Sequence, residues 1–277
     1  MRKLAVAVGI IATVATFAEP GSAATIGLVP DGGCIVYNGA RICDADLKPT
    51  GTGIFDPFLR TNPGGNLSPS SGFNTDANID SALNDADDSW TSALAKSGLQ
   101  VTPDGYVVFS VDINQIGEPD SDESKLSLAH FELFSCSTAT YTALTAAEGC
   151  SSFYNLFGGT LTRDSGERPE IATDTWVDID YRIHTSGSGK GDINIFVPVS
   201  EFFGTSSYIA LLDGWGQPGR YVDNDGFQEW RALSGISECP VGEECDDITV
   251  PEPALMLLFG MAALGSARRL RRHSTAP

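Results

Sequence analysis

Trp176-Val177-Asp178-Ile179-Asp180-Tyr181-Arg182-Ile183 alternates apolar and polar side chains with a period of two. That period belongs to a strand with one face buried and the other wet. The Gly/Ser loop Ser186 to Gly191 follows, and then Asp192-Ile193-Asn194-Ile195-Phe196-Val197-Pro198. Two β-type runs joined by a glycine-rich loop read as a hairpin. Upstream, Gly105-Tyr106-Val107-Val108-Phe109-Ser110-Val111-Asp112-Ile113 is β-branched and aromatic, with Pro103-Asp104-Gly105 as its entry turn. Leu126 to Cys136 and Ser207 to Trp215 have the same character. Residues 60–75 form a Gly/Pro/Asn/Ser loop, and Ala77 to Ala95 has room for one short helical turn. Many short strands and no long amphipathic helix predict an all-β fold, an antiparallel β-sandwich of jelly-roll type.

Both ends of the chain lie outside that fold. Arg2 and Lys3 precede an uncharged apolar stretch, Leu4 to Phe17, and Gly21-Ser22-Ala23-Ala24 supplies small residues for cleavage. This is the layout of a secretory signal peptide over residues 1–23, with the cut after Ala23 or Ala24. At the other end Pro251-Glu252-Pro253 precedes the uncharged run Ala254 to Ala267, then Arg268, Arg269, Arg271 and Arg272. The prolines hold an extended segment before the apolar helix. That run has 14 residues, short of the ~20 that span a bilayer. Snorkelling arginines extend its reach and keep the terminus cytoplasmic.

The string Val250 to Arg272 resembles the sorting signal of PEP-CTERM proteins of Gram-negative bacteria, which an exosortase handles at the inner membrane. The resemblance covers the Val-Pro-Glu-Pro tetrad, the apolar stretch and the basic end, in that order. It implies recognition at Pro251, Glu252 and Pro253, transient inner-membrane contact through the helix, and removal of the tail near the prolines. Arg268 and Arg269 belong to the same signal. Inner segments look like a recurrent ectodomain of that group. They are Gly51 to Phe58, Gly72-Phe73-Asn74-Thr75-Asp76, Val111 to Gln115, Leu126-Ser127-Leu128 and Asn224-Asp225-Gly226-Phe227-Gln228-Glu229-Trp230. The predicted organisation is a signal peptide (1–23), a β-sandwich ectodomain (24–250), a sorting signal (251–272) and a short tail (273–277).

Residues 24–250 carry 11 Lys and Arg against 34 Asp and Glu, a formal charge of −23. A surface so negative repels nucleic acid and anionic lipid and suits solubility outside the cell. All six cysteines fall in this part, as three close pairs: Cys34 and Cys43, Cys136 and Cys150, Cys239 and Cys245. An even count in an exported chain points to disulfides. Local pairing is the simplest of the fifteen arrangements that six cysteines allow. Zinc is the rival, but the mature part holds only His130 and His184 as histidine partners.

Asp223-Asn224-Asp225-Gly226-Phe227-Gln228-Glu229 is the sharpest chemical cluster. Its alternating oxygens suit a calcium ion bound by Asp223, Asn224, Asp225 and Glu229, although the EF-hand spacing is absent. An Asx-rich turn anchored by Phe227 and Trp230 is the competing reading. Asn84-Asp85-Ala86-Asp87-Asp88, before Trp90, reads as a solvated loop, and Asn74, Asp76, Asp112 and Asn114 are further oxygen donors. No Gly-x-Ser-x-Gly elbow, His-Glu-x-x-His helix or phosphate loop is present. Glu229 with Asp225 or Asp223 could in principle act as a glycosidase carboxylate pair, although acids are abundant here, and Trp215, Tyr221 and Trp230 are the candidate sugar-stacking rings. The expectation is a non-enzymatic envelope or matrix protein whose partners are exosortase and the secretion machinery. The alternative is a calcium-assisted carbohydrate-binding module for extracellular polysaccharide, and behind it a glycan hydrolase.

Overall fold

The computed structural model describes residues 24–45, 57–62, 69–78, 91–115, 117–118, 121–162, 170–181, 191–216, 221–224 and 226–232. Strands dominate them, and none of their helices reaches seven residues. A seven-stranded sheet A runs β1 (Ala24–Leu28), β12 (Thr175–Asp180), β8 (Lys125–Cys136), β14 (Tyr208–Trp215), β5 (Ser70–Phe73). Within it β6 (Leu94–Ala95) pairs with β14 and β9 (Cys150–Asn155) pairs with β8. A six-stranded sheet B runs β2 (Cys34–Tyr37), β3 (Ala40–Asp44), β13 (Ile193–Pro198), β7 (Tyr106–Asp112), β15 (Gln228–Ala232), β4 (Leu59–Thr61). A small hairpin, β10 (Thr160–Thr162) with β11 (Glu170–Ala172), pairs with neither sheet and packs Leu161 and Ile171 against Ala129 and Trp176 of sheet A.

The core lies between the two sheets, because inward positions at period two are apolar on both. Val107, Phe109 and Val111 of β7 meet Leu128, Phe131 and Leu133 of β8 in one buried cluster. Rings lock the layers together: Phe109 is edge-on to Phe131 at 5.8 Å, and Phe131 lies 5.5 Å from Trp230. Edge-to-face contact adds about 0.5–1.5 kcal/mol beyond area burial. The strands β12, β13, β14 and β15 fall in sheets A, B, A and B in turn, the alternation a jelly-roll path produces. Sheet pairing is antiparallel throughout the named ladders except for β1 with β12.

The hairpin expected between residues 176–183 and 192–198 is corrected. β12 pairs with β1 and β8 in sheet A, whereas β13 pairs with β3 and β7 in sheet B. The half-buried reading of β12 is corrected as well, since Trp176 through Asp180 are all buried. Its polar positions are covered by hydroxyls rather than by water. Ser127 Oγ donates to Asp178 at 2.7 Å, and Ser124 Oγ donates to Asp180 at 2.8 Å.

Two disulfides form as the spacing predicts, Cys34–Cys43 and Cys136–Cys150. Each joins directly opposite residues of an antiparallel pair, β2 with β3 and β8 with β9. Cys239, Cys245, the signal peptide, the sorting signal and the acidic run 84–88 lie outside the described residues.

Candidate functional site: a buried polar hub

The cluster from Asp223 to Trp230 begins as the loop that delivers the chain into β15. Gly226 turns it with φ +63°, and a Cβ there would sit 2.5 Å from the Cβ of Asn114. Only glycine combines that backbone angle with so close an approach. The loop is clamped to the end of β7 by a reciprocal set of amide bonds. Asn114 Nδ2 donates to the Phe227 carbonyl at 2.9 Å, and the Asn114 amide donates to Gln228 Oε1 at 3.1 Å. The Asn224 amide donates to Gln115 Oε1 at 3.2 Å.

Asp223 points into the protein and is completely buried. Its Oδ1 accepts from Gln115 Nε2 at 3.1 Å and from Gln228 Nε2 at 2.9 Å, and its Oδ2 accepts from Ser70 Oγ at 2.5 Å. Burial, with the neighbouring Asp213 charge, pushes the carboxyl up to about 7 against the pull of these donors.

Asp213 on β14 is the second anchor, and the sequence reading missed it. Its Oδ2 accepts from Trp215 Nε1 at 2.7 Å, Trp230 Nε1 at 2.8 Å and Thr61 Oγ1 at 2.8 Å. Its Oδ1 accepts the Gly72 amide at 2.8 Å. Burial pushes this carboxyl up to about 6, while the indole, hydroxyl and amide donors hold it down. Trp215 and Gly72 belong to sheet A, Thr61 and Trp230 to sheet B. One carboxylate therefore ties four strands of two sheets.

The predicted calcium ligands take different directions. Asp223 bonds Gln228 inside the sandwich, and its neighbour Glu229 projects to the opposite face of β15, as period two requires. There Glu229 pairs with Arg60 at 2.5 Å, and the Arg60 guanidinium lies 5.5 Å from the Phe227 ring. Burial raises the Glu229 carboxyl, and Arg60 opposes that rise. Asn224 Nδ2 donates to the Glu123 carbonyl at 2.8 Å, and Asp225 lies outside the described residues. Among the described residues no group of three or more His, Cys, Asp or Glu side chains is placed to hold a metal ion.

The other oxygen donors singled out in the sequence are also engaged. Asn74 Oδ1 accepts the Leu211 amide at 2.7 Å, and its Nδ2 donates to the Ser92 and Ile209 carbonyls. Asp76 accepts the Ala93 amide at 2.7 Å. Asp112 is buried and faces Arg231, whose guanidinium burial makes less basic and Asp112 makes more so. Of the candidate sugar-stacking rings, Trp215 and Trp230 are fully buried core residues. Tyr221 is half-buried, with the Lys125 ammonium 5.2 Å from its ring.

A separate polar set occupies the outer side of sheet A. His130 Nε2 lies 3.0 Å from Glu132, whose other oxygen accepts from Ser152 Oγ. Burial pushes the Glu132 carboxyl up, but His130 and Ser152 prevail and hold it below its usual value. Glutamate stands between the serine and the histidine, so this set lacks the direct serine–histidine bond of an activated nucleophile.

Chemically the hub is a fastener, and beside it the Ser127 amide donates to the Tyr221 carbonyl at 3.3 Å. The family model of the PEP-CTERM protein-sorting motif matches residues 249–272, next to the C-terminus. That motif implies an exported chain with exosortase as its processing partner. No curated protein and no solved structure matches the chain.

Proposed function

We propose that this chain is a non-enzymatic structural or adhesive protein of the cell envelope or surrounding matrix. A signal peptide takes it across the inner membrane, and the segment from Ala254 to Ala267 holds it there briefly. Exosortase then cuts near Pro251-Glu252-Pro253 and releases the sandwich. The observation that carries this reading is the sorting motif at residues 249–272. Two features of the body support it. The strongest candidate acids, Asp213 and Asp223, are consumed by internal donors, and Glu229 is paired with Arg60. Two disulfides clip strands at separations of 9 and 14 residues, which suits an oxidising exterior.

Fractionation of producing cells tests the proposal. The full chain is expected at the surface or in the medium, and replacement of Arg268, Arg269, Arg271 and Arg272 by alanine is expected to disturb its delivery. A wild-type protein confined to the cytoplasm would overturn the reading.

A further inference from the structure

The sequence leaves two cleavage positions for the signal peptide, because Gly21/Ala23 and Ser22/Ala24 both place small residues at the required spacing. The fold separates them. β1 is the edge strand of sheet A and runs parallel to β12, with Ala24 opposite Thr175 and Thr25 opposite Trp176. Thr25 Oγ1 donates to Asp178 Oδ2 at 3.1 Å, and the Val29 amide donates to the Asp178 carbonyl at 3.1 Å. Ala24 is thus the first residue of the ladder among the described residues.

Parallel strands begin at the same end, and neighbours lie about 4.8 Å apart. The residue ahead of Thr175 therefore stands beside the nitrogen of Ala24, and that residue is Asp174. Asp174 is exposed and engages no hydrogen bond or ion pair among the described residues. The turn presenting it is fixed by Thr173 Oγ1, which donates to the Thr175 carbonyl at 2.9 Å and accepts the Thr175 amide at 3.1 Å. Asp174 and Thr175 also line an open cleft of about 470 Å³, with Phe157, Gly158, Gly159 and Ile171.

We propose that the chain is hydrolysed between Ala23 and Ala24, and that the new α-ammonium group of Ala24 docks against Asp174 at the rim of this cleft. The inference rests on the export reading above. Hydrolysis by the secretory signal peptidase consumes one water, leaving a carboxylate on Ala23 and an ammonium group on Ala24. A protease binds its substrate extended and unpaired, so the cut precedes the docking of β1. The edge strand joins the sheet after the signal peptide has gone, and the charge created by the cut helps to hold it. A cut after Ala24 would remove the residue paired with Thr175 and leave the ammonium group opposite Trp176.

Tandem mass spectrometry of the N-terminal peptide from the exported protein tests the position. A peptide beginning at Ala24 is expected. One beginning at Thr25 would overturn this inference alone, and a chain still beginning at Met1 would overturn the export reading with it. NMR titration of the α-amino group tests the docking. It is expected to titrate above the usual range of about 7.7–8.0 for an N-terminal amine. Asp174→Asn should remove that elevation and speed hydrogen exchange of the β1 amides about two- to five-fold, as loss of an exposed ion pair does. The distant Asp122→Asn should do neither. An α-amino titration unchanged by Asp174→Asn would refute the contact.

Discussion

In the middle of the sandwich Phe109 meets Phe131 across the layers, with Phe202 stacked on Phe109 at 6.5 Å, and no charge intervenes in these contacts. At the Asp213 end Trp215 and Trp230 also meet across the layers, at 5.7 Å, but both indoles turn their N–H groups onto one carboxylate. The two regions are equally buried and face the same core. What differs is direction. Ring packing accepts many arrangements of similar volume, whereas a carboxylate that satisfies four groups accepts one. The polar end therefore fixes the register of β4, β5, β14 and β15, and the apolar middle supplies most of the area removed from water.

Replacing one residue of each region by leucine should expose that contrast most strongly. Asp213→Leu leaves two indole N–H groups, a hydroxyl and an amide buried without an acceptor, and should cost at least about 4 kcal/mol in denaturant unfolding. Phe131→Leu, in the apolar middle, removes a few ring carbons and should cost about 2 kcal/mol. Equal losses would erase the distinction.

Acidity should act on the polar end alone. Asp213 and Asp223 titrate near 6 and 7 in the folded protein, above the ordinary aspartate value. Between about pH 4 and pH 7 the folded state therefore holds protons that the unfolded state has released. Their contribution to stability is fully present below about pH 4 and is lost as pH rises through 6 and 7. Stability at pH 5 should exceed that at pH 8 by an amount on the order of 3 kcal/mol. Glu132, held low, acts in the opposite sense at more acid pH, but it is only half-buried and contributes less. Asp223→Asn should flatten the slope between pH 5 and pH 8, and Phe131→Leu should leave it unchanged.

The disulfides sharpen the comparison from outside the core. Cys136–Cys150 closes a separation of 14 residues beside buried Tyr141, and its replacement by serines should cost about 3 kcal/mol. On the outer face of β15, Glu229→Gln breaks a partly exposed pair with Arg60 and should cost about 1 kcal/mol or less. Smallest of all is the expected response to calcium. A hub satisfied by its own donors should melt at the same temperature in calcium and in chelator, and a clear upward shift that Asp225→Ala abolishes would restore the ion.

Much of this architecture can be read along the chain. Residues 105–113, 126–136, 192–198 and 207–215 form strands close to where their composition places them, and the disulfides join neighbouring cysteines. Pairing is less legible. Alternation shows which residues share a face, but it does not say which sheet receives the strand, so residues 176–180 and 193–198 part company. The hub is least legible, because a polar residue in a strand ordinarily marks the wet side. Asp213 breaks that rule by facing inward two residues before Trp215. An acid at that spacing from a core tryptophan, with another tryptophan in the cluster singled out for calcium, was the available signal. The Asp223 to Glu229 cluster divides in the same way: Asp223 bonds Gln228 inside the sandwich, whereas Glu229 pairs with Arg60 on the other face of β15.

Intact-mass measurement of the exported protein tests the central claim most directly. The account predicts a chain that ends near Pro251-Glu252-Pro253 and lacks the apolar run and its arginines. A surface or secreted form that still carries Arg268 to Arg272 would contradict it.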